Sequence, residues 1–266
     1  MKSLFRLFSL LVVLTFVLAA CGGGDDDADD AGGNDDGDGE ETSGELYTVG
    51  VDNTYPPFEF TVDGELVGID VELIEAIAED QGFDIEIEQM DFSGIIPSMQ
   101  SKELDIGMGG MSITDERKET VDFSEPYFEA GVSLVVADGN DDIQGLEDLD
   151  GKKVAVKNGT VGANFAEEAQ DEYGFEIVQV SDSASMFQEV INGSSDALME
   201  DYPVISYAIT EGDLELQIVG DRLTGDNYGI SVLKGENDEL LEKINEGLAN
   251  LKDSGAYDDI LAEYLD

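Results

Sequence analysis

From Leu46 to Met108 the apolar residues switch twice between the two-residue period of a strand and the helical period, and this constrains the fold more than any other feature. Leu46–Val51 alternates as a strand. Leu73, Ile74, Ile77 and Ala78 then form one helical face within 71–80, Phe83 to Glu88 alternates again, 94–100 makes a short helix, and 104–108 is a third strand. Strand, helix, strand, helix, strand requires parallel strands joined by crossovers. Such sheets place ligands beyond the carboxyl ends of their strands. Three loops leave those ends: one carries Asp52 and Tyr55, one Phe92, and one Gly109-Gly110-Met111-Ser112.

The third loop continues through Thr114 to Arg117, where Thr114 is placed to cap a short helix. Beyond the N-terminal leader, only Arg117 and Arg222 are arginines. A guanidinium grips a carboxylate through two parallel hydrogen bonds, and the glycines allow close backbone approach, so this stretch suits a small anion. A second α/β unit starts at the apolar strand 131–137 and the strand 154–156. Lys157-Asn158-Gly159-Thr160-Val161-Gly162 opens a helix reaching Tyr173, whose free N–H groups also favour an anion. Further strands are expected at 177–180, 196–199 and 216–219, with a helix at 184–192. The strand at 196–199 leads into the acidic pair Glu200-Asp201. Residues 227–233 read as a strand returning to the first unit, and two amphipathic helices, 239–251 and 257–265, close the chain around Ser254-Gly255.

The N-terminus has another character. Lys2 and Arg6 precede an apolar run from Leu7 to Ala20, too short to span a bilayer and laid out as a secretory leader. Its end, Leu18-Ala19-Ala20-Cys21, resembles a bacterial lipobox, which implies that Cys21, the single cysteine, is lipidated and tethers an extracytoplasmic protein to the membrane. Residues 22–45 are Gly/Asp-rich and cannot bury enough apolar surface to fold, so they read as a linker reaching about 25–30 Å. The acidic run 35–40 lacks the spacing of a calcium loop, and no metal site or other cofactor is expected. The formal charge of −51, from 63 acids against 12 bases, leaves no basic surface for nucleic acid. Such acidity points to stabilisation by high salt.

Several long motifs in order resemble the family 3 extracellular solute-binding proteins, the amino-acid receptors of ABC importers. They are Val51 to Glu59, Gly68 to Leu73, Met90 to Pro97, Gly110 to Arg117 and Val121 to Tyr127. The resemblance covers essentially 46–266. It implies an α/β, two-lobed, type 2 periplasmic-binding-protein fold whose two crossing hinge strands lie near 127–131 and 225–229. Lobe 1 is then 46–130 with 226–266, and lobe 2 is 131–225. The implied protein is a monomer delivering an amino acid to a permease with its cytoplasmic ATPase.

By the same resemblance, Arg117 holds the ligand α-carboxylate with Ser112 and the backbone near Thr160 and Val161. Asp201 takes the α-ammonium with Gly110 and Ser112, Gly109 belongs to the same loop, and Tyr55 and Phe92 are aromatic walls. The side-chain end falls to Asp52, Lys157 and Glu200. A carboxylate and an ammonium together match a carboxamide, so glutamine is the first expectation. Glu200 leaves room for a basic amino acid, glutamate is a further alternative, and Lys157 reads equally as an interlobe ion pair. A sensor on this fold remains open. A dehydratase-like enzyme is disfavoured because the chain contains no histidine to serve as acid or base.

Overall fold

The computed structural model describes residues 44–265. The leader, Cys21 and the linker up to residue 43 lie outside the described residues.

Two five-stranded sheets share one strand order. In the first, Leu46–Val51 lies between Asp84–Gln89 and Ile106–Gly107, both parallel to it; Ser231–Leu233 and Val121–Phe123 follow as antiparallel neighbours. In the second, Lys153–Lys157 lies between Glu176–Val180 and Ala197–Asp201, both parallel; Val132–Ala137 and Leu216–Val219 follow antiparallel. Phe128–Glu129 pairs antiparallel with Asn227–Tyr228 where the chain passes between the sheets in each direction. The expected strand 227–233 is broken at Gly229-Ile230. Its first half pairs with the outgoing crossing and its second half joins the first sheet.

The helix Ile69–Gln81 buries Leu73, Ile74, Ile77 and Ala78, the face expected from their spacing. Each large aliphatic side chain removed from water there contributes about 1.5–3 kcal/mol. Asp238–Ser254 packs against it, with Gly247 facing Ile77 and Gln81, and Ala256–Leu265 completes that layer. On the second sheet lie Val161–Tyr173 and Ser183–Ile191, each started by a side-chain cap: Thr160 accepts from the Ala163 amide and Asp182 from the Ser185 amide.

Tyr202–Thr210 is a further helix where the sequence pattern marks no element. Proline is accommodated in the first helical turn, where its missing N–H would have no partner, so here it starts a helix.

Candidate functional site

The loop after Ile106–Gly107 is held from behind by a buried carboxylate. Asp70, in the first turn of Ile69–Gln81, accepts from the amides of Gly109 (3.0 Å) and Gly110 (2.9 Å) through one oxygen and from the Tyr127 hydroxyl (2.7 Å) through the other. Gly109 and Gly110 have φ of 127° and 55°, and a Cβ on Gly110 would stand 2.4 Å from the Tyr55 ring, so glycine is required there on both grounds. The next residues zip onto the returning crossing strand: the Ile113 amide donates to Asn227 and the Gly229 amide to Met111. Thr114 Oγ1 accepts from the Arg117 amide, opening the single 3-10 turn Arg117–Glu119 that fixes where the guanidinium emerges.

The facing side comes from the second sheet. Thr160 caps Val161–Tyr173, so the amides of Val161 and Gly162 in the first turn have no intrahelical acceptor. Asp201 ends the strand Ala197–Asp201 and is buried; its Oδ2 accepts from the hydroxyls of Tyr55 (2.8 Å) and Tyr228 (2.6 Å). Burial raises the Asp201 carboxyl, opposed by those two donors and by the Arg117 charge. Burial, and next the nearby Asp201 charge, lift Tyr55 well above the ordinary phenol range; Tyr228 is lifted by the same two causes.

Side-chain contacts join the two sides. Arg117 donates to the Ser112 carbonyl (2.7 Å) on its own side and to the Gly159 carbonyl (2.9 Å) on the other, with its guanidinium 5.2 Å from the Phe92 centroid. Two of its five N–H donors are thereby engaged. Burial lowers its pKa from the ordinary guanidinium value, opposed by the Asp201 charge. The buried Lys157 ammonium bonds Asp52 Oδ2 and lies 4.6 Å from the Tyr55 centroid and 5.6 Å from that of Phe92. Tyr55 and Tyr228 reach Asp201 across the same gap.

Between the two sides lies a cavity of only about 10 Å³, room for roughly one water molecule, so the two sides stand closed on each other. Tyr55, Phe92, Gly109, Gly110, Ser112 and Arg117 line it from the first side, and Lys157, Thr160, Val161 and Asp201 from the second.

Asp52 and Glu200, expected on the wall, stand behind it. Asp52 Oδ1 is engaged by the Thr54 amide (2.8 Å) and hydroxyl (2.7 Å), and Lys157 stands between Asp52 and the cavity side. For Glu200 the cause is strand geometry: successive side chains point to opposite faces, so Asp201 on the cavity sends Glu200 to the face covered by Ser183–Ile191. There it accepts from the Ser183 hydroxyl (2.8 Å) and the Asp201 amide (2.8 Å). Burial, and then the Asp201 charge, raise its pKa to about 7.

Asp70, Tyr228, Ser183 and Glu59 escape sequence reasoning. Asp70 carries one readable signal, an acid in a helical first turn directly after the strand-and-glycine pattern. The others carry none, because their roles depend on complete burial and on partners that only the fold brings close, Asp201 for Tyr228 and Glu200 for Ser183.

The sequence profile described as bacterial extracellular solute-binding proteins, family 3, matches residues 47–266. The arginine-binding extracellular protein ArtP of Bacillus subtilis is 33% identical over 218 residues, 82% of this chain and 85% of that protein. An ancestral arginine-binding protein solved with arginine superposes with a TM-score of 0.78 at 43% identity, covering 83% of this chain and 98% of the other. An ancestral arginine-binding protein solved with glutamine gives 0.77 at 43% identity, with 83% and 97% covered.

Proposed function

The chain belongs to the bacterial extracellular solute-binding proteins of family 3, and from that premise we propose that it captures a polar L-amino acid, glutamine above the others, and hands it to an ABC permease. In this reading the lobes are 46–130 with 226–266 and 131–225. Arg117, Ser112 and the helix start at Thr160-Val161 take the α-carboxylate. Asp201, the Ser112 hydroxyl and the Gly110 carbonyl take the α-ammonium, and Tyr55 and Phe92 flank the ligand. A zwitterion bridges the two sides, so binding energy favours the closed arrangement. The protein is a monomer that binds without catalysis, tethered outside the cell membrane through lipidated Cys21.

The observation that carries the choice of glutamine is Lys157 on the cavity wall with Asp52 behind it. An ammonium there repels a guanidinium and offers donors to a carboxamide oxygen, while Asp52 holds that ammonium in place from behind. Glutamate fits less well, since Asp52 already neutralises Lys157 and a ligand carboxylate would find no cation of its own. The second reading, a basic amino acid, draws on the arginine-binding relatives and on Glu200 as an additional anion.

The clamp is tested by Arg117→Ala. Leaving the α-carboxylate unpaired in a desolvated site costs about 3–5 kcal/mol, at least a hundredfold in Kd, for every amino acid that binds. A thermal-shift screen against the twenty amino acids measures this, and an unchanged response in the variant overturns the assignment of Arg117.

A further inference from the structure

Behind the cavity wall lies a carboxyl group that the ligand site does not use. Glu59, in the strand Glu59–Val62, is fully buried, and neither of its oxygens has a hydrogen-bond donor among the described residues. Its Oε1 lies 3.3 Å from where a Cβ on Gly109 would stand, directly behind the loop that forms the wall. The titratable and charged groups facing it are Asp70 on the helix Ile69–Gln81, Asp52 after the first strand, Lys157 from the second lobe and Tyr127 beside the crossing.

The donors around it are already committed. The Gly109 and Gly110 amides and the Tyr127 hydroxyl all go to Asp70, and the Lys157 ammonium goes to Asp52. Asp70 therefore has three donors and Glu59 none. A carboxylate buried without a donor is far costlier than a neutral carboxyl that can donate its own proton. Burial, and then the charges of Asp70 and Asp52, push the Glu59 carboxyl well above its usual range, against a smaller opposing effect of Lys157.

We propose that Glu59 is a positioning residue that carries the proton of a Glu59–Asp70 pair and donates it to the Asp70 carboxylate, keeping Asp70 ionised and aimed at the two amides that fix Gly109 and Gly110 at the ligand. The proton stays on Glu59 while its hydrogen bond fills a remaining acceptor position on Asp70. The two peptide planes flanking Gly109 are thus set by a proton rather than by a cation. Ionising Glu59 would place a second carboxylate, without a donor of its own, beside that of Asp70 behind the wall and release that loop, weakening ligand capture. The effect on affinity rests on the proposed contact of Gly110 with the ligand ammonium; the location of the proton does not.

Three readouts on the full extracytoplasmic chain test this. The infrared difference spectrum of wild type minus Glu59→Gln at neutral pH should contain the C=O stretch of a protonated carboxyl. Its absence overturns the proposal. Glu59→Gln keeps a donor toward Asp70, so it should bind glutamine within about threefold of wild type and lose the fall in affinity at alkaline pH; Glu59→Ala should lose about tenfold. Equal affinity in the Ala and Gln variants also overturns it. Exchange of the Gly109 and Gly110 amides should be faster in Glu59→Ala than in Glu59→Gln, and equal rates count against the proposal. If Glu59→Ala fails to fold, the infrared band and the Glu59→Gln pH profile decide. If wild type binds no amino acid, the ligand assignment falls while the infrared band and, where Glu59→Ala folds, the exchange rates still judge the proton.

Discussion

Replacing Lys157 by methionine keeps the volume of the side chain but removes the ammonium that pairs with Asp52. Lys157 and Asp52 are both buried, so the variant leaves a carboxylate without its cation. Breaking a buried pair in this way costs about 3–5 kcal/mol. The lower end applies, because Asp52 Oδ1 keeps two donors from Thr54 at 2.8 and 2.7 Å. About 3 kcal/mol in a domain of this size corresponds to a fall of roughly 6–12 °C in Tm. The same change removes the donor for a carboxamide and exposes Asp52 to a ligand cation. Glutamine affinity should fall about tenfold or more while arginine gains, and arginine should restore much of the lost Tm because it replaces the missing charge. Thermal unfolding with and without each amino acid, followed by calorimetry, measures both effects. A Lys157→Met protein that keeps wild-type affinity for glutamine, or that arginine stabilises no better than it stabilises wild type, refutes the assignment of Lys157 and Asp52 to the side-chain end.

Two other outcomes follow from charge. Glu200 has a folded pKa of about 7 against an ordinary value of 4.5, so the folded state keeps a proton that the unfolded chain releases. Its contribution to stability is full below about 4.5 and is lost as pH rises to about 7; Glu200→Gln should flatten that window in a Tm-against-pH series, and arginine affinity should rise above pH 7 in wild type but not in the variant. A formal charge of −51 predicts a Tm that climbs steeply with NaCl toward molar concentration, and a flat salt response would exclude electrostatic self-repulsion as a determinant of stability.

Most of the sheet architecture is legible in the chain because the parallel strands are short and strongly patterned, and two of them, Ile106–Gly107 and Lys153–Lys157, run into glycine-containing loops. Arg117 stands out by scarcity, and the ends of Leu46–Val51, Ile106–Gly107 and Lys153–Lys157 indicate where it works. What stays hidden is which side of a strand end faces the cavity. Glu200 and Asp201 are indistinguishable as neighbouring acids until the pleat sends one to the cavity and the other to Ser183. Glu59 is hidden for a related reason: between Phe58 and Phe60 nothing marks it for burial, and only the packing of Asp70 and Gly109 over it makes it a buried acid. The helix Tyr202–Thr210 is not marked in the sequence because Pro203 and its β-branched residues carry little helical propensity, whereas burial against the second sheet decides its conformation.

The central claim is that Arg117 and Asp201 recognise the amino-acid backbone and the Lys157–Asp52 pair selects a carboxamide. Competition calorimetry of the unlipidated protein with glutamine, glutamate, arginine, lysine and histidine tests it most directly. The account predicts one-to-one binding with glutamine the tightest of the five. Tight arginine binding with no heat from glutamine would contradict it.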